Sequence, residues 1–356
     1  MDTAQTARRA AVATLVVIAI VVAALALWKI KVVVALIFIG FIVAAAMRPG
    51  VDWLARHRIP RGAGVLIHYL GVVALVALFL WLVVPPALKQ IEQAVGNIPT
   101  STSQLHKAAT HSSGIKRQIL LGVQHRLEKL PSGTSLVHPA ITITKTAFEV
   151  LVGIFFMFAV GAYWIFERDR AVALVTSMLP RQRRRIVRDT WWLIDQKLGA
   201  FVRGELLLIV FVAVVLSFAF WLDGLPYWIL IGSFAGVVEI VPVIGPLAAG
   251  ALAVGVGLTQ GWLTALGAGI AVLVLRQLED YIVVPRVLGH AVGLSPLVVL
   301  VSVTAVGILL GGFYVLLAIP LAAVGATLID VVLRDKDPAA ETVPTVLFPA
   351  KDLENR

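Results

Sequence analysis

Apolar residues along this chain come in long runs separated by short basic punctuation, instead of alternating with polar ones. A helix needs about 20 apolar residues to cross roughly 30 Å of hydrocarbon. The runs that read as spans are 10–28, 32–47, 63–84, 146–166, 204–222 and 262–284. Only Lys29–Lys31 separates the first two, which predicts a tight helical hairpin. The first run follows Arg8 and Arg9 and has no clear small-residue cleavage site after it, so it reads as a retained span, with a signal sequence as the other reading. Two more apolar regions, 227–258 and 296–330, are interrupted.

The polar stretches carry a helical period of their own. Within 85–142, Leu88, Ile91, Val95 and Ile98 share one spacing, and Ile115, Ile119, Val123, Leu127 and Leu130 share another. Two amphipathic helices are expected there, joined by the Ser/Thr-rich stretch 100–113. His106, His111, His125 and His138 fall in this insert at spacings that match no metal-ligand pattern, so no metal is expected. Pro180 opens another helix, with Ile186, Trp191, Ile194 and Leu198 in a stripe opposite arginines. It reads as an amphipathic, non-spanning helix at the membrane surface, with Trp191 and Trp192 at headgroup level. Residues 334–356 read as a disordered tail.

The interruptions are informative. In Glu239-Ile-Val-Pro242-Val-Ile-Gly245-Pro246 two prolines and a glycine break an apolar stretch. Each remaining arm, at 12 to 15 residues, spans about 18–22 Å, short of a crossing. The expected form is a re-entrant hairpin whose tip lies against protein or a water-filled cavity. Glu239 sits beside that tip, where a carboxylate is costly unless paired, protonated or wet. It reads as a substrate or proton site, or as a structural partner for an arginine. The second region repeats the theme, with Pro296 at its start, Gly307, Gly311 and Gly312 near its middle and Pro320 in its second arm. Gly311, Gly312 and Pro320 are the expected hinge of a second hairpin, entering from the opposite side. Span plus hairpin, twice, with reversed direction is the inverted-repeat logic of secondary transporters. Gly232-x-x-x-Gly236, Gly257-x-x-x-Gly261 and Gly307-x-x-x-Gly311 would permit close helix contact.

Composition and charge agree with this reading. The chain has 356 residues, 60% hydrophobic and only 14% charged, far more apolar surface than a soluble domain of that length can hide. It has no cysteine, which removes disulfides, thiolate metal sites and cysteine nucleophiles. The net charge of +10 gathers beside apolar spans, a topology signal and not a nucleic-acid one. Arg48, Arg56, Arg58 and Arg61 precede the third span; Arg168, Arg170, Arg181, Arg183, Arg184, Arg185 and Arg188 follow the fourth. Both loops are expected in the cytoplasm, with both termini, leaving the 85–142 insert outside. No His-Glu-x-x-His, Gly-x-Ser-x-Gly or intramembrane aspartate pair is present, so neither an enzyme nor a cofactor is expected.

The fold expected is therefore all-α, a polytopic transmembrane bundle of about eight membrane segments, two of them re-entrant or broken hairpins, plus amphipathic extramembrane helices. Its units are 1–84 (three spans), 85–142 (insert), 143–202 (fourth span and surface helix), 203–333 (two span-plus-hairpin repeats) and 334–356 (tail). Charged residues collect at the ends of the paired spans: Arg203 and Glu205 open one; Arg276, Glu279 and Asp280 close the other, before Pro285-Arg286. They could pair as a gate or bind substrate.

At these residues the sequence resembles the autoinducer-2 exporter family of bacterial membrane transporters. The resemblance rests on Arg203-Gly204-Glu205, the Glu239–Pro246 run, Gln277-Leu-Glu279-Asp280, Pro285-Arg286-Val-Leu-Gly289, and Gly311-Gly312 followed by Ile319-Pro320. It covers 150–333 closely and the first three spans in layout. The chain departs from the family pattern at Glu205, usually Gln, and at Ser295-Pro296, usually His-Pro. The resemblance implies a multi-pass protein of the bacterial cytoplasmic membrane that exports a small polar molecule, the namesake being a quorum-sensing signal. Some relatives look like sodium or lithium/proton antiporters. It also implies a homo-oligomer, with a pentamer as the candidate number. The expected site comprises Glu239, Pro242, Gly245, Pro246, Glu205, Gln277, Glu279 and Asp280 for substrate or protons, with Arg203, Arg276 and Arg286 as gate or ion-pair partners. The expected partners are lipids and a small polar solute or cation. A non-transporting membrane scaffold is the remaining alternative.

Overall fold

Inside lipid every backbone N–H and C=O must find its partner within the protein, so long apolar runs become helices. The computed structural model of the protein describes residues 3–95, 137–241, 244–287 and 293–343, and among these the ordered elements are helical, with no strand. They are α1 (Thr3–Lys29), α2 (Lys31–Arg56), α3 (Arg61–Val95), α4 (Val137–Ser177), α5 (Arg181–Leu222), α6 (Trp228–Val238), α7 (Ile244–Leu258) and α8 (Trp262–Leu278). A π-helical turn, Glu279–Val283, runs on into the one-turn α9 (Val284–Val287). Then come α10 (Pro296–Leu310), a 3-10 turn (Gly312–Leu317), α11 (Ala318–Leu333) and a last 3-10 turn (Pro338–Ala340). The expected insert helices, Pro242, and the end of the Pro285–Gly289 motif lie outside the described residues.

Several helices are longer than the apolar runs that announce them. α2 continues past Pro49, and α3 past Pro85 and Pro86 to Val95, where a loop and a separate insert helix are expected from the sequence. Proline removes a donor but keeps a helical φ, and a helix well bonded on both sides carries through it. The largest correction concerns the surface helix expected after Pro180. It does not end before the span at 204 but is one piece with it: α5 has 42 residues and a length of about 63 Å. Gly199 and Gly204 lie inside it without breaking it, because both are buried where α5 needs small residues. A Cβ at Gly199 would collide with the Ala45 carbonyl of α2, so the two helices meet backbone to backbone there. Trp191, in the first half of α5, packs against Trp164 of α4 at 5.9 Å between ring centroids.

Among the described residues, six helices are long and apolar enough to cross a membrane: Val12–Lys29, Lys31–Arg56, Arg61–Gln90, Phe148–Ser177, Arg181–Leu222 and Gly312–Leu333. The last differs from the expected sixth span, 262–284, which the π turn divides, although the backbone stays helical from Trp262 to Val287. α6, α7 and α10 are apolar but short, at 11, 15 and 15 residues. α1 and α3 present apolar side chains outward along their length (Leu15 is 66% exposed and Trp81 is 70%), as surfaces that meet lipid or other apolar chains do.

Both interrupted regions are broken helices. α6 runs antiparallel to α5, with Gly232 seated on Ser217 and Gly236 on Ile209 and Ala213, so its end at Glu239 reaches the level of Glu205. α7 then returns beside it, and Gly257 lets α7 and α8 approach at Ala265. In the second region Gly311 takes φ +106°, outside the range of most L side chains, and separates α10 from the 3-10 turn. Lys31, at the start of α2, donates from Nζ to the Leu310 carbonyl at 3.4 Å. The first break lies instead near Arg203, whose Nη1 donates to the Ala46 carbonyl at 3.0 Å. Lys31 and Ala46 are about 22 Å apart along α2. The two breaks therefore lie at different depths of the bundle, the second near the start of α2 and the first near the middle of α2 and α5.

Three apolar clusters hold this arrangement. One joins α5 to α8 through Val212, Leu216, Phe220, Leu225, Ile231, Ala235, Ala249, Ala253, Ala268 and Leu275. Another joins α2, α5 and the 3-10 turn through Ala35, Ile42, Ala45, Leu198, Tyr314 and Leu317. A third, Met47, Val51 and Val65, joins α2 to α3. The beginning of the expected disordered tail is folded: Lys336 N–H donates to the Asp330 carbonyl at 3.1 Å, Asp337 caps Ala339 at 3.0 Å, and Pro338 is buried.

Candidate functional site

The first break is built by its own residues. Glu239 closes α6, its N–H bonded to the Ala235 carbonyl at 3.1 Å. The next turn is tight, with Gly245 N–H reaching the Val241 carbonyl at 2.8 Å. A Cβ at Gly245 would strike the Val238 carbonyl, so only glycine lets α7 start directly beneath the end of α6. Pro246 falls in the first turn of α7, where a helix has no use for the missing N–H.

This geometry leaves the Glu239 carboxylate buried, at 9% exposure, and facing α8. Arg276, in the last turn of α8, donates from Nη1 to Glu239 Oε1 at 3.1 Å. The same guanidinium reaches Asp280 Oδ1 at 3.1 Å and Glu279 Oε2 at 3.7 Å. Glu279, only 3% exposed, opens the π turn. A single-turn π segment widens the helix by one residue, a device common at functional positions. Glu279 and Asp280, three and four residues after Arg276, lie on its side of the helix and reach the same guanidinium. Glu205, half-buried on α5, lies within electrostatic reach of both Glu239 and Glu279. Three carboxylates thus gather around one guanidinium where a helix is broken, with Glu205 close to two of them. Above them is a small cavity with apolar walls from Val212, Leu216, Ala235, Ala249, Val272 and Leu275, floored by Glu239, Arg276 and Glu279. Among the described residues no three His, Asp or Glu side chains are arranged to hold a metal ion.

The structure does not gather every expected site residue. Gln277 is exposed, one residue on from Arg276 and so turned to another face of the helix. Arg286 is exposed beyond the π turn and forms no ion pair among the described residues. Arg203 is directed at α2. Gly311 and Gly312 form the second break, away from this cluster, and Pro320 falls in the first turn of α11.

Two charged groupings have no counterpart in the sequence reading. Arg48, Asp52, Arg61, Arg168, Asp169 and Asp195 form a network that ties α2, α3, α4 and α5 together. Arg168 Nε bonds Asp195, and Arg48 lies 3.6 Å from both Asp52 and Asp169. Lys197, 5% exposed on α5, donates to Thr327 Oγ1 at 3.2 Å and meets Glu341 Oε1 at 2.7 Å. The sequence carries one hint of these: Asp195 and Lys197 interrupt the otherwise apolar side of the stripe through Ile194 and Leu198.

A polytopic helical bundle with two helix breaks, one of them carrying buried charge beside a small cavity, is the architecture of a membrane transport protein. Sequence comparison agrees. The chain matches the family model described as AI-2E family transporter over residues 15–334, and it belongs to that family. It is 24% identical over 297 residues to "Putative transport protein YrrI" of Bacillus subtilis (strain 168), covering 81% of this chain and 83% of the relative. It is 27% identical over 293 residues to "Putative transport protein YueF" of the same organism, covering 76% of each. It is 27% identical over 287 residues to "Putative permease PerM" of Escherichia coli (strain K12), covering 76% of this chain and 77% of the relative. The protein is thus a multi-pass membrane protein with a role in transport.

Proposed function

We propose that the chain exports a small polar solute, of the kind exemplified by autoinducer-2, across the bacterial cytoplasmic membrane through the cluster at the first helix break. The observation that carries this reading is the Arg276 bridge. One guanidinium joins Glu239, at the tip of the first broken helix, to Glu279 and Asp280 on the π turn. A polar solute entering the adjacent cavity can offer hydroxyl donors to those carboxylates and compete with the guanidinium for them. Such exchange alters the contact between α6 and α8, and a solute that binds one arrangement better than another shifts the balance between them. Basic residues near the ends of α2 to α5 support a cytoplasmic placement for both termini. Assembly into a homo-oligomer is supported by the outward apolar faces of α1 and α3.

A second reading, sodium or lithium exchange for protons, is favoured by the excess of carboxylates over cations in the cluster. Purified protein in sealed proteoliposomes with an imposed proton gradient separates the two. Labelled autoinducer-2 counterflow that Glu239→Gln abolishes supports export. Proton release on adding sodium, lost in the same variant, supports antiport. If Glu239→Gln leaves both fluxes intact, the cluster is not the site.

A further inference from the structure

Lys197 is a buried cation that the transport site does not use. It lies two helical turns before Glu205 on α5, and an ammonium at 5% exposure is costly unless it has an anion and hydrogen-bond acceptors. Its two partners come from different parts of the fold. Thr327, 1% exposed on α11, accepts at 3.2 Å while its own hydroxyl donates to the Ala323 carbonyl at 2.9 Å. The only carboxylate bonded to Lys197 among the described residues is Glu341, at 2.7 Å, which lies beyond the last long helix.

The segment that delivers Glu341 is constructed for the purpose. Arg334 and Lys336 both fold onto Asp330, at 2.9 and 2.8 Å. Asp335 turns the backbone through φ +49°, the left-handed region. Asp337 then caps the 3-10 turn, and Pro338 packs into the protein beside α5. The chain doubles back from the end of α11 and crosses to α5.

We infer that residues 334–341 are a strap that fastens α11, the second arm of the second broken helix, to α5, and that this fastening restrains transport. Beside the packing of Pro338, the strap's one ion pair to α5 has a carboxylate 38% exposed, so it is open to competition from solvent and ions. Its release leaves Thr327 as the partner that joins Lys197 to α11. The restraint rests on the transport reading above; the fastening itself does not.

The natural chain has no cysteine, so a single reporter can be placed without background. Ala323→Cys puts a thiol on the buried face of α11, at a site 2% exposed. In that background Glu341→Gln, which keeps the shape and removes the charge, should speed maleimide labelling by about fivefold, the scale of one partly exposed ion pair. Lys197→Met, which also removes the bond to Thr327, should speed labelling at least as much, and adding Glu341→Gln to it should add nothing. In proteoliposomes the Glu341→Gln variant should raise whichever flux the wild type shows, labelled autoinducer-2 counterflow or sodium-driven proton release. Labelling unchanged by Glu341→Gln overturns the strap. Faster labelling with unchanged or lower flux overturns the restraint. Faster labelling in a protein that moves neither probe, wild type included, upholds the fastening and counts against the transport reading instead. Should Lys197→Met fold poorly, the exposed Glu341→Gln substitution and the charge swap Lys197→Glu/Glu341→Lys, expected to restore slow labelling, carry the same test.

Discussion

Gly236 offers a test of how the site is held in place. A Cβ added there would lie 2.5 Å from the Ile209 carbonyl oxygen and 2.7 Å from the Ala213 Cβ, both on α5. Ordinary contact begins near about 3.5 Å, so α6 must retreat from α5 by about 1 Å. The obstacles are backbone and Cβ atoms, which cannot rotate away. Overpacking of this kind costs about 1–3 kcal/mol. The retreat occurs less than one turn from Glu239, whose bond to Arg276 is 3.1 Å long. Lengthened by a similar amount, it ceases to be a hydrogen bond. That loss adds no more than about 1 kcal/mol, since Arg276 is about one-third exposed. Gly236→Ala is therefore expected to lower the unfolding temperature in detergent by about 1–5 °C, and to impair flux in proteoliposomes. Gly255→Ala is the control: a Cβ there meets nothing within 4 Å, and alanine should stabilise α7 by about 0.5–1 kcal/mol. If Gly236→Ala melts with or above Gly255→Ala, the close packing of α6 on α5 does not hold the site.

Two further outcomes follow from named contacts. Arg276→Gln strips Glu239 and Glu279, both buried, of their shared cation; after allowance for the arginine's exposure the loss is about 2 kcal/mol, and Arg276→Gln/Glu239→Gln should recover part of it in the same melting assay. A single variant as stable as the wild type would show that the carboxylates have other partners. Tyr314→Phe removes a buried hydroxyl that has no hydrogen-bond partner, so stability should hold or rise by up to about 1 kcal/mol; a clear drop in the melting temperature would mean the hydroxyl is bonded after all.

Much of this was legible in the chain because membrane physics writes in long words. An apolar run bounded by arginines leaves few structures open, and two prolines flanking a glycine within 242–246 mark a break, although prolines at 49, 85 and 86 sit in unbroken helices. Glu239, Arg276 and Glu279 stood out because charge within apolar surroundings is conspicuous. What stayed hidden depends on distance in space. Gln277 and Arg286 neighbour the site in sequence yet face elsewhere, and only the fold brings Glu239 from another helix to the arginine that Glu279 and Asp280 reach within their own. The continuity of α5 through residues 199–204 was hidden too, since the glycines there reflect the nearness of α2 and not a turn. Glu341 reads as tail because its partner, Lys197, lies far away in the chain.

The length of α5 has a mechanical consequence. A rod of about 63 Å that comes backbone to backbone with its support at Gly199, close to its midpoint, is mounted as a seesaw. A tilt of only about 5° about that fulcrum would carry its two ends about 2.7 Å in opposite directions. Glu205, near the pivot, would hardly move, while the space at one end widened as that at the other narrowed.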